Sequence, residues 1–178
     1  TDTISCGVDS QELYRQSLLI QRPGEKVESS NFVTTGGLLP RKGVDLLLEA
    51  WGNEFCLKRK DSHLSNMAPK LILSTGYEYG YSQDDIAKMQ GMVNRCEGSI
   101  EWNRNSWLTR QDYIDLLRNA DVYVAPFRSE GFGISIAEAA LLGTPVIATT
   151  NGSAADDYLG SLMSEMLEPS VQAVYPVI

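Results

Sequence analysis

The chain has 178 residues, 43% of them hydrophobic and 21% charged, which suits one folded domain with its own core and argues against global disorder. Its formal net charge of −8 argues against a duplex nucleic-acid binder, whose affinity rests on basic contacts to phosphate. A local site for a small phosphorylated ligand remains compatible with an acidic chain.

The segment NFVTTG at 31–36 reads as a short strand ending at Gly36-Gly37. A helical pattern follows over 43–51, with Leu46, Leu47, Ala50 and Trp51 on one face. The charged stretch 58–69 reads as a solvated surface loop. KLILST at 70–75 is a continuous apolar run, the mark of a strand buried on both faces. The loop GYEYGY at 76–81 leads to a helix opening at Ser82, where Asp85 completes a capping box. SIEW at 99–102 reads as a strand. Thr109 with Asp112 repeats the cap signal before an amphipathic helix over 110–119. DVYVA at 121–125 is a strand stopped by Pro126, a helix spans 133–142, and PVIAT at 145–149 forms another strand. The terminal VYPVI suits an edge strand, where Pro176 is tolerated.

Strand and helix alternating in this way predict an α/β fold: a Rossmann-like doubly wound parallel sheet, in a single domain over residues 1–178. Ligands bind such sheets beyond the carboxyl ends of the strands. Three loops follow strands: Gly36–Lys42, Gly76–Tyr81 and Pro126–Gly133. Their convergence predicts one ligand site.

Three cysteines, Cys6, Cys56 and Cys96, and one histidine, His63, give no C-x-x-C spacing and no zinc pattern. The expectation is reduced cysteines in a cytosolic domain. No signal peptide and no apolar run of membrane-spanning length is found, so the expected localisation is cytoplasmic.

In the third loop, Gly131 and Gly133 keep the backbone clear of side chains just before a helix. N–H groups at a helix start can bind phosphate, aided by the helix dipole; a tight strand-to-helix turn would need the same glycines. Glu130 and Glu138 stand about 12 Å apart if the residues between them are helical. They cannot act as an acid–base pair on one atom, but they can hold two parts of an elongated ligand. The apolar neighbours Ile136, Ala137, Ala139 and Ala140 imply that Glu138 is buried. In the first loop, GGLLPRKG places Arg41 and Lys42 before a helix, where they can meet a diphosphate or form an exposed basic turn.

Together these stretches resemble the carboxyl-terminal, nucleotide-sugar-binding domain of GT-B glycosyltransferases of family 4, the "glycosyl transferases group 1" family. ISCGVDSQELY resembles the segment entering that domain, GGLLPRKGVDLLLEAW its G-R-L-x-x-x-K-G unit, and RNADVYVAPFRSEGFGISIAEAALLGTPVIATTNGSAADDY its long E-x7-E signature. The resemblance covers residues 4 to about 158. It implies that Lys42 contacts the donor phosphates and that the N–H groups of Gly131, Phe132, Gly133 and Ile134 cradle the diphosphate. It implies that Glu130 faces the transferred sugar, with Glu130 and Lys42 the catalytic pair, and that Glu138 accepts from the ribose hydroxyls. Gly36, Gly37, Arg41 and Gly76 complete the donor-binding set, and Ile100–Asn103 would lie near the base. The chain departs from the pattern at Gly37, where the family often has arginine, at Cys6 and at Ala139-Ala140.

The implied function is transfer of a hexosyl group from a nucleotide-diphosphate sugar to a glycan or other acceptor, with retention of configuration. No cofactor or metal is expected; Asp156-Asp157 are adjacent rather than alternating. The implied partners are the nucleotide sugar and an amino-terminal GT-B domain, in the same or a partner chain, which would hold the acceptor and make any membrane contact. Read alone, the chain is expected to bind donor and hardly catalyse. Two rival readings share the features: half of a GT-B-fold sugar-nucleotide epimerase, and a non-catalytic nucleotide-binding or scaffold subunit.

Overall fold

The apolar run at 70–75 does form a strand, flanked by others on both sides. The computed structural model describes residues 30–56, 69–96 and 98–149, together with Gln11, Leu13 and Arg15. The strands are β1 (Asn31–Leu38), β2 (Lys70–Glu78), β3 (Ile100–Arg104), β4 (Val122–Ala125) and β5 (Val146–Ala148). Between them lie a 3-10 turn (Pro40–Lys42) and the helices α1 (Val44–Trp51), α2 (Gln83–Arg95), α3 (Arg110–Arg118) and α4 (Ile134–Leu141). All strand pairs are parallel, in the spatial order β3-β2-β1-β4-β5. The chain steps outward from β1 to β3, then returns beyond β1 to lay down β4 and β5. The junction of β1 and β4 is therefore the topological switch point, and the predicted doubly wound architecture holds.

Side chains alternate between two cores. Leu71, Leu73 and Val124 pack with α1 and α2 on one face, among Leu48, Trp51, Ile86 and Met89. Val33, Tyr123 and Ala125 pack with α3 and α4 on the other, among Ile114, Leu117, Ile136, Leu142 and the fully buried Leu13. A strand covered on both faces must be apolar at successive positions, which is why 70–75 shows no polar alternation.

The helix caps form as expected. Ser82 Oγ accepts from the Asp85 N–H at 3.2 Å, and the Asp85 carboxylate accepts in return from the Ser82 N–H. Thr109 Oγ1 accepts from the Asp112 N–H at 3.1 Å. Other expectations need correction. The buried stripe of α1 is Val44, Leu47, Leu48 and Trp51, while Leu46 is 43% exposed and Ala50 lies on the surface. Helical spacing of i, i+3, i+4 and i+7 fixes that stripe on the sheet. Strand β2 runs on to Glu78, so the segment read as a loop from Gly76 begins as strand. The expected loop at 58–69 falls almost wholly outside the described residues, and the terminal strand VYPVI falls entirely outside them.

The cysteine expectation is also overturned: Cys56 and Cys96, 40 positions apart in sequence, form a disulfide with Cα atoms 5.1 Å apart. A π-turn over Gly52–Cys56 carries one cysteine to the carboxyl-terminal cap of α2, which is the other. Sequence spacing alone cannot show that meeting. Among the described residues no helix is long and apolar enough to cross a membrane.

Candidate functional site

A cleft of about 600 Å³ opens at the carboxyl ends of β1, β2 and β4. Gly36 and Gly37 line it from the end of β1, which runs past the expected stop to Leu38, Lys42 from the 3-10 turn, Gly76 and Tyr77 from β2, Glu130, Phe132 and Gly133 from the third loop, and Ile134 from the start of α4. Ser106 to Arg110, Tyr113 and Glu138 close the remaining wall. A smaller pocket beneath, between β1 and β4, shares Gly36, Gly37, Lys42 and Glu130. The three strand-end loops thus converge as expected.

The first and third loops are locked together. Gly43 has φ +69°, and a Cβ there would stand 1.8 Å from the Pro126 carbonyl oxygen, so the backbones touch where only glycine fits. The Arg128 N–H donates to the Arg41 carbonyl at 2.7 Å. The Arg128 guanidinium donates to the Pro40 carbonyl at 2.6 Å and forks onto both Asp45 oxygens at 2.8 and 2.7 Å. Tyr81, which follows β2, donates its hydroxyl to the same carboxylate at 2.6 Å. Hydrogen bonds from Arg128 hold the Asp45 carboxyl down to about 2 against the opposing effect of burial, and burial beside that carboxylate pushes the Tyr81 hydroxyl up to about 12.

This framework presents Glu130 and Lys42 to each other as an ion pair. Arg41 adds a second cation at 3.3 Å, and the Gly131 N–H donates to the other Glu130 oxygen at 3.1 Å. Burial is the largest single influence on Glu130 and raises its pKa. Lys42, the Gly131 N–H and Arg41 together outweigh it, so the carboxyl sits below its ordinary value and is ionised.

Glu138 occupies a different setting. It lies within α4, 7% exposed, as its apolar neighbours imply. The Arg110 guanidinium donates to one of its oxygens and the Tyr113 hydroxyl to the other, each at 2.7 Å. Burial raises the Tyr113 hydroxyl pKa strongly, so the phenol keeps its proton and remains a donor. Helix α4 starts at Gly133 in the left-handed region, φ 76°, with no side-chain cap. The Ile136 and Ala137 N–H groups bond back to the Gly133 carbonyl at 2.9 and 3.0 Å, and the helix dipole turns its positive end toward the cleft wall.

Of the residues read from sequence, Gly36, Gly37, Lys42, Gly76, Glu130, Phe132, Gly133, Ile134 and Glu138 share the cleft. Arg41 and Gly131 add no surface to it, and both bond Glu130 instead. The stretch Ile100–Asn103, implied to lie near the base, stands back from the cleft. Its residues form edge strand β3 and none lines the cleft, whose wall on that side begins at Ser106. Sequence reasoning missed Asp45, Tyr81, Arg128, Arg110, Tyr113 and Trp107. Arg128 and Asp45 had a faint signal, each within three residues of a chosen site residue. The others become visible only when β2 and α3 are folded onto the loops.

Residues 29–169 match the family described as glycosyl transferases group 1. A D-inositol 3-phosphate glycosyltransferase of Saccharomonospora viridis is 30% identical over 175 residues, covering 90% of this chain and 37% of that protein. A GDP-mannose-dependent monoacylated alpha-(1-6)-phosphatidylinositol monomannoside mannosyltransferase of Corynebacterium glutamicum is 29% identical over 157 residues, 76% of this chain and 37% of that protein. The chain thus spans little more than a third of the length of these relatives. Among solved structures, the C-terminal domain of a glycosyl transferase group 1 family protein of Francisella tularensis superposes with TM-score 0.55 at 20% identity, over 89% of this chain and 88% of that one.

Proposed function

The chain belongs to the glycosyl transferases group 1 family, as the C-terminal domain of its GT-B fold, and from that premise we propose that its cleft binds a nucleotide-diphosphate sugar as donor for glycosyl transfer. The observation that carries this reading is the meeting, in one cleft at the switch point, of a cation, an uncapped helix start and a buried carboxylate. Lys42 and the first-turn N–H groups of α4 would hold the diphosphate. Glu138, braced by Arg110 and Tyr113, retains lone pairs for ribose hydroxyls. Glu130 would face the transferred sugar and, with no donor bound, neutralises Lys42.

In the transfer, the bond from the sugar's anomeric carbon to the diphosphate oxygen breaks, and its electron pair leaves on the diphosphate. Fixed positive groups at that oxygen stabilise the developing charge, the effect that usually contributes most to catalysis. The acceptor hydroxyl bonds the anomeric carbon on the retained face and releases its proton to the leaving diphosphate. The acceptor itself would lie on a second, amino-terminal domain. The relatives bear transferase names, which favours transfer over epimerisation.

Thermal unfolding with uridine, guanosine and adenosine diphosphates, plain and sugar-linked, tests the reading. At ten times Kd, binding adds about 1.4 kcal/mol. That is a rise of roughly 3–6 °C for a domain of this size. The expected result is such a rise with one base, lost in Glu138→Ala and weakened in Lys42→Ala. A folded chain that responds to no nucleotide contradicts it.

A further inference from the structure

Two aromatic side chains stand at the cleft with no part in the site as described. Tyr77 is 48% exposed and Trp107 76% exposed, and both line the cleft. Their rings stack, with centroids 6.3 Å apart and planes 17° apart. Covering two such rings at once would be favourable, so a flat ligand laid on them gains from burial.

The backbone is shaped to receive them. Pairing of β1 with β2 is regular from Asn31↔Lys70 to Gly36↔Thr75, then slips by one residue before Leu38↔Glu78. The extra residue falls within Gly76-Tyr77, and such a bulge re-aims a side chain. It brings the Tyr77 ring over Gly37, where an added Cβ would meet ring carbons at 2.6 and 2.9 Å. At Gly76 an added Cβ would stand 3.6 Å from the Trp107 ring. A Cβ at Gly37 would also stand 2.7 Å from Leu39 Cδ1. Any side chain at that position would have to displace Tyr77.

Resting on the donor-site reading above, we propose that Tyr77 and Trp107 form a stacking platform for the nucleobase, so that side-chain rings hold the base. The order of features along the cleft supports a base rather than a sugar. The start of α4 offers phosphate contacts. Next along α4 comes Glu138, tied to Arg110 and Tyr113 of α3. Trp107 follows on the loop that enters α3, three residues before Arg110. Phosphate, ribose and base occur in the same order in a nucleoside diphosphate. Every base has a π-face, so stacking gives affinity with only mild preference between bases.

The test is titration of the chain with inorganic pyrophosphate and with uridine, guanosine and adenosine diphosphates, followed by calorimetry and by tryptophan fluorescence. Trp51 is buried at 3% exposure and Trp102 donates its indole N–H to Thr75 at 3.1 Å, so Trp107 is the most accessible indole. The expected result is that nucleoside diphosphates bind more tightly than pyrophosphate and quench fluorescence. Trp107→Ala should abolish the quench and cost roughly 5- to 100-fold in nucleotide affinity, leaving pyrophosphate affinity unchanged. Trp107→Phe should recover part of the loss. At 76% exposure, Trp107 can be truncated without emptying the core. If Trp107→Ala binds nucleotides as tightly as the unaltered chain, or if nucleotides bind no better than pyrophosphate, the platform is overturned and the donor site stands. If neither nucleotides nor pyrophosphate bind, the donor-site reading falls and the platform with it.

Discussion

Asp45 shows how one residue can organise a site without lining it. Its carboxylate takes a forked pair of hydrogen bonds from Arg128 and one from Tyr81, tying together the segments that follow β4, β1 and β2. Its folded pKa of about 2 lies below the ordinary 3.8. The unfolded chain therefore binds more protons between those values, and Asp45 contributes stability above pH 4 that is lost as pH falls toward 2. Glu130 and Glu78 are shifted in the same direction, Glu78 by the hydrogen bonds of Arg104. Acid titration of thermal stability should show this decline, and Asp45→Asn should flatten its Asp45 share while lowering stability at pH 7. An unchanged acid limb in the variant would contradict the role. Glu138→Gln keeps the side chain's shape but removes the charge that Arg110 and Tyr113 hold. Nucleotide affinity should fall about tenfold or more, since hydrogen bonds to charged groups contribute roughly 1.5–3 kcal/mol. Equal affinity by calorimetry would remove Glu138 from the site. Both glutamates were legible from their spacing beside a glycine turn. Of their cations Lys42 was picked out as well, before the helix that follows the first strand, whereas Arg110 was not, because it lies 28 residues from Glu138.

At the scale of elements, the turns matter more than the strands. The two capped helices and the order of strands could be read directly, because caps and apolar runs are local signals. The face of α1 was misjudged because Leu46 and Ala50 are apolar yet point away from the sheet, and a nine-residue pattern admits both stripes. Gly43 joins the first and third loops by backbone contact. Gly43→Ala should destabilise by well over the ~1 kcal/mol that a left-handed residue costs alone, because its Cβ also meets the Pro126 carbonyl. Thermal unfolding checks this, and a melting point within a degree of the original would contradict the contact. The Cys56–Cys96 disulfide closes a loop of 40 residues. Reduction, or Cys56→Ser, should cost about 2–4 kcal/mol. Rapid alkylation of both thiols in the native, unreduced chain would show that they are not bonded. The pairing stayed hidden in the sequence because it depends on the π-turn after α1 meeting the end of α2.

Over the whole molecule, two cores fix a parallel sheet, and the sheet's reversal at β1 and β4 opens the cleft. A parallel, doubly wound sheet follows from alternation of elements and the rules of crossover connections, but the spatial order that puts the reversal at β1 and β4 does not. What the alternation also could not supply was the content of the cleft's far wall, since Tyr77 reaches it beside a one-residue slip in strand pairing and Trp107 from the loop that enters α3. With a donor in the cleft, its phosphates should bind at the start of α4, against Lys42. Amide chemical-shift mapping with a nucleoside diphosphate tests it most directly. The largest shifts should fall on Gly131 to Ser135 and on Lys42, with lesser ones at Ser106 to Leu108. Saturable binding that leaves the Gly131 to Ser135 amides unmoved, and shifts instead the outer face of α2 around Lys88 and Arg95, would contradict it.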